Sequence, residues 1–308
     1  MELVRGLHNV TPDHQGCVAT IGNFDGVHLG HQSVFRHLLN VARHLDLPAT
    51  VITFEPQPQE FIAPRTAPAR LTRLREKVQA LEAVGIDRVV LLRFGHQLAQ
   101  MPARVFVHRL LIDELGVRHL IVGDDFQFGK GREGNIAMLR EIGRKYGFPV
   151  ENMDTFMLYQ DRVSSTRIRA ALLEGNLDTA QEYLGRPYRI FGRVAHGDER
   201  GRAIGFPTAN VDLHRAVSPV RGVFAVRMYG LGPQAFPGVA NIGNRPTVDG
   251  GARCLLEVHL FDFDRQIYGE HVEVEFVRRL RDEQRFESLK ELKHQIAHDT
   301  AEARALLT

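Results

Sequence analysis

Two histidines three residues apart, His28 and His31, close the stretch Val18-Ala-Thr-Ile-Gly-Asn-Phe-Asp-Gly-Val-His-Leu-Gly-His31. In it a short apolar run stops at glycine and restarts as a helix, so it reads as strand, tight turn and helix start. Gly22 and Gly26 let a backbone come close to a ligand, and a helix N-terminus offers N–H groups and partial positive charge. That is an anion site of phosphate size. Spacing of three on a helical turn projects both imidazoles from neighbouring positions of one face, with Gly30 keeping the space between them clear. The plain alternatives are a solvated or capping histidine, one of 15 in the chain, and half of a metal site. A metal site wants a third ligand, and no Cys or HExxH pattern supplies one.

Three further clusters carry polar chemistry. Val122-Gly-Asp-Asp-Phe-Gln-Phe-Gly-Lys-Gly-Arg-Glu-Gly134 resembles a phosphate loop, but it has one residue too many between glycines and Lys130 is followed by Gly, which rejects a P-loop. What remains is a strand end with two carboxylates, two phenylalanines and a flexible basic loop. It is either a solvated turn or a wall for a flat aromatic ligand, made by Phe126 and Phe128 with Asp125 placed to hydrogen-bond it. Ser164, Ser165 and Thr166 precede a helix as N-cap candidates. Arg167 and Arg169 in its first turn oppose the helix dipole unless an anion, such as a polyphosphate, sits there. In Gly205-Phe-Pro-Thr-Ala-Asn210, Thr208 and Asn210 fall on one side of an extended chain and offer hard oxygens to a cation, or else simply form a turn. Glu257 alternates with Leu256 and Val258, and is a solvated strand residue or, facing an interior beside a cation, a base for a hydroxyl.

The elements that must position these groups fall into two halves. Helical spacing from Val34 to Leu45, a strand over Pro48–Phe54, a helix over Thr72–Val84, a strand over Arg88–Leu92, a helix over Pro102–Leu115 and a strand over His119–Val122 alternate, which predicts an α/β parallel sheet with helices on both faces. Ligands of such sheets sit beyond the carboxyl ends of the strands. Near Leu184-Gly-Arg-Pro-Tyr188 the pattern changes to short strands and many glycines, giving domains 1–186 and 187–308. Strands are expected at Tyr188–Ala195, Gly222–Arg227, Pro237–Ile242, Cys254–Phe261 and His271–Val277. A final amphipathic helix through Leu289, Leu292 and Ile296 completes a small antiparallel barrel.

The 308 residues suffice for two cores, and the net charge of +2 comes from mixed signs without a basic run. A nucleic-acid partner is therefore not expected. No apolar stretch approaches a membrane span, and the two cysteines, Cys17 and Cys254, lie far apart, which fits a reducing cytoplasm.

In order and nearly end to end, TIGNFDGVHLGH, TFEPQPQEF, RLTRLREKVQALEAVGID, VGDDFQFGKGREG, VSSTRIRAALLEGNLDTA, LGRPY, GRAIGFPTAN, GVANIGNRPT, LLEVHLFDFD and LRDEQRFESLKELKHQI resemble the prokaryotic bifunctional FAD synthetases. These join an FMN adenylyltransferase domain of Rossmann-like nucleotidyltransferase fold to a riboflavin kinase barrel. The resemblance implies ATP, riboflavin and FMN as substrates, FAD as product and Mg2+ as cofactor. It implies that His28 and His31 stabilise charge as FMN phosphate attacks ATP, with Gly22, Phe24, Asp25, Ser164, Ser165, Thr166 and Arg167 on the nucleotide. Asp125, Phe126 and Phe128 would meet flavin or nucleotide. In the second domain it assigns Gly205, Thr208 and Asn210 to ATP phosphates, Thr208 and Asn210 also to magnesium, Glu257 to the ribityl hydroxyl and Arg281 to flavin. Phe224 and Val248 depart from the family's usual Tyr and aromatic residue, which bears on flavin affinity and removes no polar catalytic group. Self-association stays open.

Overall fold

The computed structural model describes residues 1–196, 205–215, 217–246 and 252–307. By contacts it divides into a unit of Met1–Pro68 with Thr72–Ser164, and a second of Ala69–Leu71 with Ser165–Thr308. Residues 165–186 thus cluster with the second unit, although the change of sequence pattern comes after them.

The first unit is built on six strands, β1 (Glu2–Arg5), β2 (Cys17–Ile21), β3 (Ala49–Glu55), β4 (Arg88–Arg93), β5 (Val117–Gly123) and β6 (Val150–Met153). They pair in the order β1-β4-β3-β2-β5-β6, all parallel. A parallel sheet is covered on both faces, and alternate residues of one strand serve the two layers. Cys17, Ala19 and Ile21 of β2 join the layer of Phe106, Leu110, Leu111, Leu139 and Ile142, while Val18 joins Phe35, Leu38, Ala42 and Leu81 on the other face. The helix expected over Pro102–Leu115 begins as α-helix Ala103–Phe106 and continues through Val107–Glu114 with the wider π hydrogen-bonding pattern. A small hairpin of β7 (Met157–Leu158) and β8 (Asp161–Arg162) precedes Ser164.

In the second unit, β9 (Arg189–Ala195), β10 (Ala209–Asp212), β11 (Gly222–Tyr229), β12 (Phe236–Pro246), β13 (Ala252–Leu260) and β14 (His271–Arg281) close into an antiparallel barrel in the order β10-β13-β12-β11-β14-β9. The barrel is filled by Ile190, Val194, Val211, Phe224, Val226, Ile242, Leu256, Val258, Val274 and Phe276, all buried. Phe224 is fully buried and meets Phe276 edge-on at 5.1 Å. A Tyr hydroxyl there would need a buried partner, so this departure belongs to packing. Val248 lies outside the described residues.

The closing helix, Leu289–Leu307, lies on the outside of β11 and β12. Its inward stripe is Leu292, Ile296, Asp299, Ala303 and Leu307, whereas Leu289, expected on that stripe, is 58% exposed. Ala303 packs with Val223, Ala225, Val239 and Phe261.

Candidate active sites

From β2 the chain winds to β3 and β4 on one side and returns to the other for β5 and β6, so β2 and β5 flank the point where the winding reverses. In open α/β sheets the crevice beyond that point takes ligands. The turn carrying His28 follows β2, and the loop carrying Asp125 follows β5.

His28 is the N-cap of the helix Leu29–Leu45, with extended backbone, and its Nδ1 accepts the His31 N–H at 3.3 Å. The histidines therefore do not share a helical face in the way their spacing suggested. His28, only 5% exposed, folds back over the first turn, and the two rings stack at 3.6 Å between centroids, 18° from parallel. His28 thus caps the helix, as the plain reading had it. Gly30 leaves room for the stacked rings: a Cβ there would stand 3.2 Å from the His28 ring, which would have to yield by a few tenths of an ångström, and 3.5 Å from the Val163 carbonyl oxygen, an ordinary contact. Val163, and with it Ser164, comes beside the helix start at ordinary contact distance.

Other residues of the turn are committed inward. The space a Gly22 side chain would take is filled by the Phe24 ring, 2.9 Å from the Cβ position. Phe24, 6% exposed, packs on Phe35 at 4.9 Å and meets His31 edge-on at 5.2 Å. Asp25, 3% exposed, accepts both the N–H and the hydroxyl of Thr72, at 3.0 and 3.2 Å. The Gly26 N–H donates to the Thr72 hydroxyl at 3.0 Å. Gly22, Phe24 and Asp25, expected on the nucleotide, thus have structural work that shapes the turn. Thr72 and Lys77, whose ammonium donates to the Asn23 carbonyl at 2.6 Å, were missed by sequence reasoning. A lysine in phase with the apolar Leu74 and Leu81 was the available signal.

The loop after β5 is pinned. Phe128 and Gly134 exchange backbone hydrogen bonds of 3.2 and 2.9 Å, and the Lys130 N–H donates to Met101 at 2.9 Å. Phe128 is 8% exposed within the core, stacked with Phe126 at 5.4 Å, so it backs the wall and does not form its surface. Asp125 is exposed and pairs with Arg162 at 2.7 Å. Thr155 hydrogen-bonds Asp124.

Ser165, Thr166 and Arg167 open the helix Ser165–Glu174 of the second unit, and Arg169 donates to the Ala69 carbonyl at 2.6 Å. Gly205 has φ +91°, a conformation that glycine adopts without strain.

The barrel site is assembled by register. Glu257 of β13 stands directly opposite Asn210 of β10 and Asn241 of β12. Directly paired residues project from the same side of a sheet, so one row holds amide, carboxylate and amide. Since Leu256 and Val258 fill the barrel, this row is on its outer surface; Glu257 does not face the interior. All three side chains are half-buried. Thr208 immediately precedes β10, and His259 Nδ1 lies 2.9 Å from the Pro207 carbonyl, fastening that segment. Asn241 was not singled out from sequence, because only the pairing brings it beside Glu257. Arg281, expected on flavin, clamps the closing helix: its guanidinium donates to both oxygens of Asp299, 2% exposed, at 2.8 to 3.1 Å.

The described residues contain no group of three or more His, Cys, Asp or Glu able to hold a metal. Hydroxyl, amide and carboxylate oxygens at Thr208, Asn210 and Glu257 are the hard donors that suit magnesium shared with substrate phosphates.

Two family models match the chain, FAD synthetase over residues 10–167 and riboflavin kinase over 184–307. The bifunctional riboflavin kinase/FMN adenylyltransferase of Haemophilus influenzae is 51% identical, covering 99% of both chains. Its namesake from Escherichia coli K12 is 52% identical over 99% of this chain and 97% of its own. A solved structure from Streptococcus pneumoniae, described as a macrolide-efflux protein, aligns over 97% of each chain at 32% identity with a TM-score of 0.79. With both models matched in order and relatives half identical from end to end, the protein belongs to the bifunctional riboflavin kinase/FMN adenylyltransferase family.

Proposed function

We propose that the chain converts riboflavin to FMN and FMN to FAD, using one ATP in each step, with adenylylation on residues 1–186 and phosphorylation on 187–308. The observation that carries this reading is the presence of two separately built polar sites, a histidine pair at a helix N-terminus and a carboxylate row on a barrel, within the spans of the two family models.

In phosphorylation, Glu257 takes the proton of the ribityl 5′-hydroxyl as its oxygen bonds the γ-phosphorus of ATP and ADP leaves. Asn210 and Thr208 hold phosphate oxygens and Mg2+, which supplies neutralisation of the transferred charge when bound. In adenylylation, an FMN phosphate oxygen bonds the α-phosphorus of a second ATP, the α–β bridge breaks and pyrophosphate leaves. His28 and His31 donate to the charge that builds on those oxygens, alongside the N–H groups of the helix start. Ser164, Ser165, Thr166 and Arg167 bind the departing phosphates, and Asp125 the flavin or nucleotide. Cytoplasmic work suits Cys17 and Cys254, both buried and unlinked. No helix among the described residues is long and apolar enough to cross a membrane, and the efflux named for the Streptococcus pneumoniae relative is not proposed for this chain.

The test is product analysis over time with riboflavin, ATP and Mg2+. FMN rising first and FAD after it is expected. FMN without FAD would remove the adenylyltransferase half, and flavin bound without turnover would replace enzyme by binding protein.

A further inference from the structure

The turn that delivers His28 is conformationally expensive. Phe24 and Val27 both have φ +46°, and Gly26 has φ +86°. Non-glycine residues hold such backbone only where surroundings impose it. The surroundings come from two helices: from Leu29–Leu45, Phe35 packs on Phe24 and Gln32 donates to the Val27 carbonyl at 2.9 Å, while the helix Leu74–Val84 and the residues just before it hold Asn23, Asp25 and Gly26. Thr72 fastens Asp25 and Gly26, as described above. One turn further on, Lys77 is 1% exposed, on the buried side of the helix with Leu81. Its ammonium donates to the Asn23 carbonyl at 2.6 Å and lies 3.5 Å from the Thr53 hydroxyl, which itself donates to the same carbonyl at 3.4 Å.

A buried ammonium is costly, and an apolar residue would pack this helix on the sheet at lower cost. A Lys77 N–H and the Thr53 hydroxyl are directed at a backbone oxygen one residue before Phe24, at the carboxyl end of β2, where the ligand crevice opens. We infer that Lys77 is a positioning residue for adenylyl transfer: by holding the Asn23 carbonyl it fixes the strained turn that presents His28 to the reacting phosphate. Lys77 acts through Asn23 and the turn, and touches no substrate. The inference rests on the adenylyltransferase reading of this unit.

Lys77→Met keeps an unbranched apolar stem and removes every donor; Lys77→Gln, like Met one atom shorter than Lys, keeps an N–H donor. FAD formation from FMN and ATP is measured at saturation and at low substrate, with riboflavin phosphorylation by the same preparation as the check that the chain is folded. For Lys77→Met we expect kcat for FAD formation to fall at least tenfold, KM for ATP and FMN to stay within twofold, and phosphorylation to be unchanged. Lys77→Gln should recover part of the kcat. A Met variant that makes FAD within twofold of the parent overturns the inference. So does a loss shared by kcat and both KM values that Gln does not relieve, which would make Lys77 a support of the fold alone. Should the Met variant not fold, the Gln variant decides by the same kcat and KM comparison. Failure of the parent chain to make FAD from FMN would instead remove the adenylyltransferase reading, whatever Lys77 does.

Discussion

The two candidate sites, both proposed to handle phosphates, have opposite construction. His28, Gly30 and His31 lie within one turn of chain, and the positive field they share with the helix start comes from backbone N–H groups. Asn210, Asn241 and Glu257 come from three strands and meet only because β10 and β12 flank β13 in register. The first site tolerates changes in sheet register but depends on a strained turn. The second tolerates loop changes but depends on pairing, because a one-residue slip would carry Glu257 into the barrel interior. Positive charge is built into the first site. The second presents mainly oxygens, and in the proposed reading a cation would let it meet ATP.

The sharpest way to break this comparison is to remove one group from each site and read both products. His28→Ala should lower FAD formation from FMN by roughly a hundred- to a thousandfold, as loss of a preorganised donor does, with FMN formation intact. Glu257→Ala should lower FMN formation by about a hundred- to ten-thousandfold, as loss of a general base does, while FMN supplied from outside still becomes FAD. Loss of both products in either folded variant would contradict independent sites.

The unequal construction also explains what was legible. The strand, turn and helix around His28 are local, so their motif could be read directly, and Gly30 was correctly seen as clearing space. Phe126 and Phe128 of the second glycine-rich loop read as a ligand wall, and the resemblance put Phe24 of the first on the nucleotide. Yet Gly22 and Gly134 make room for Phe24 and Phe128 themselves, since a side chain at either would collide with the ring. Alternation in β13 separated Glu257 from Leu256 correctly, but a period of two names two faces without saying which one a closing barrel will enclose. Strand β10, four residues long with only Val211 buried, offers too little pattern to mark it as a strand. Arg281 has its partner on a distant helix, which no spacing rule reveals.

A smaller effect should separate the units by stability. Asp299 is buried between Arg281 and Gln295, which donates to it at 2.8 Å. Asp299→Ala leaves the partly exposed Arg281 guanidinium without its carboxylate and should cost about 2 kcal/mol, below the value for a fully buried pair. Thermal unfolding should show the riboflavin kinase activity lost at lower temperature, with FAD formation from FMN retained to the parent's temperature. Equal loss of both activities would mean that the closing helix is not specific to the barrel's stability.

The smallest effect tests the strained turn without disturbing the core. At position 30 an alanine sits in the first turn of a helix, where it is favoured over glycine by up to about 1 kcal/mol, so Gly30→Ala should leave melting unchanged or slightly raised. Its Cβ would nonetheless stand at 3.2 Å from the His28 ring and 3.5 Å from the Val163 oxygen, and the ring must yield by a few tenths of an ångström. Misplacement by a full ångström costs about a hundredfold, so a shift of this size should lower kcat for FAD formation about tenfold or less. The barrel, whose site does not depend on this turn, should phosphorylate riboflavin at the parent's rate. A more stable protein with slower adenylylation would show that the glycine is kept for the geometry of His28, at some expense to the helix. An unchanged rate would mean that the stacked pair has slack, and that the 3.2 Å approach to the His28 ring does not govern adenylylation.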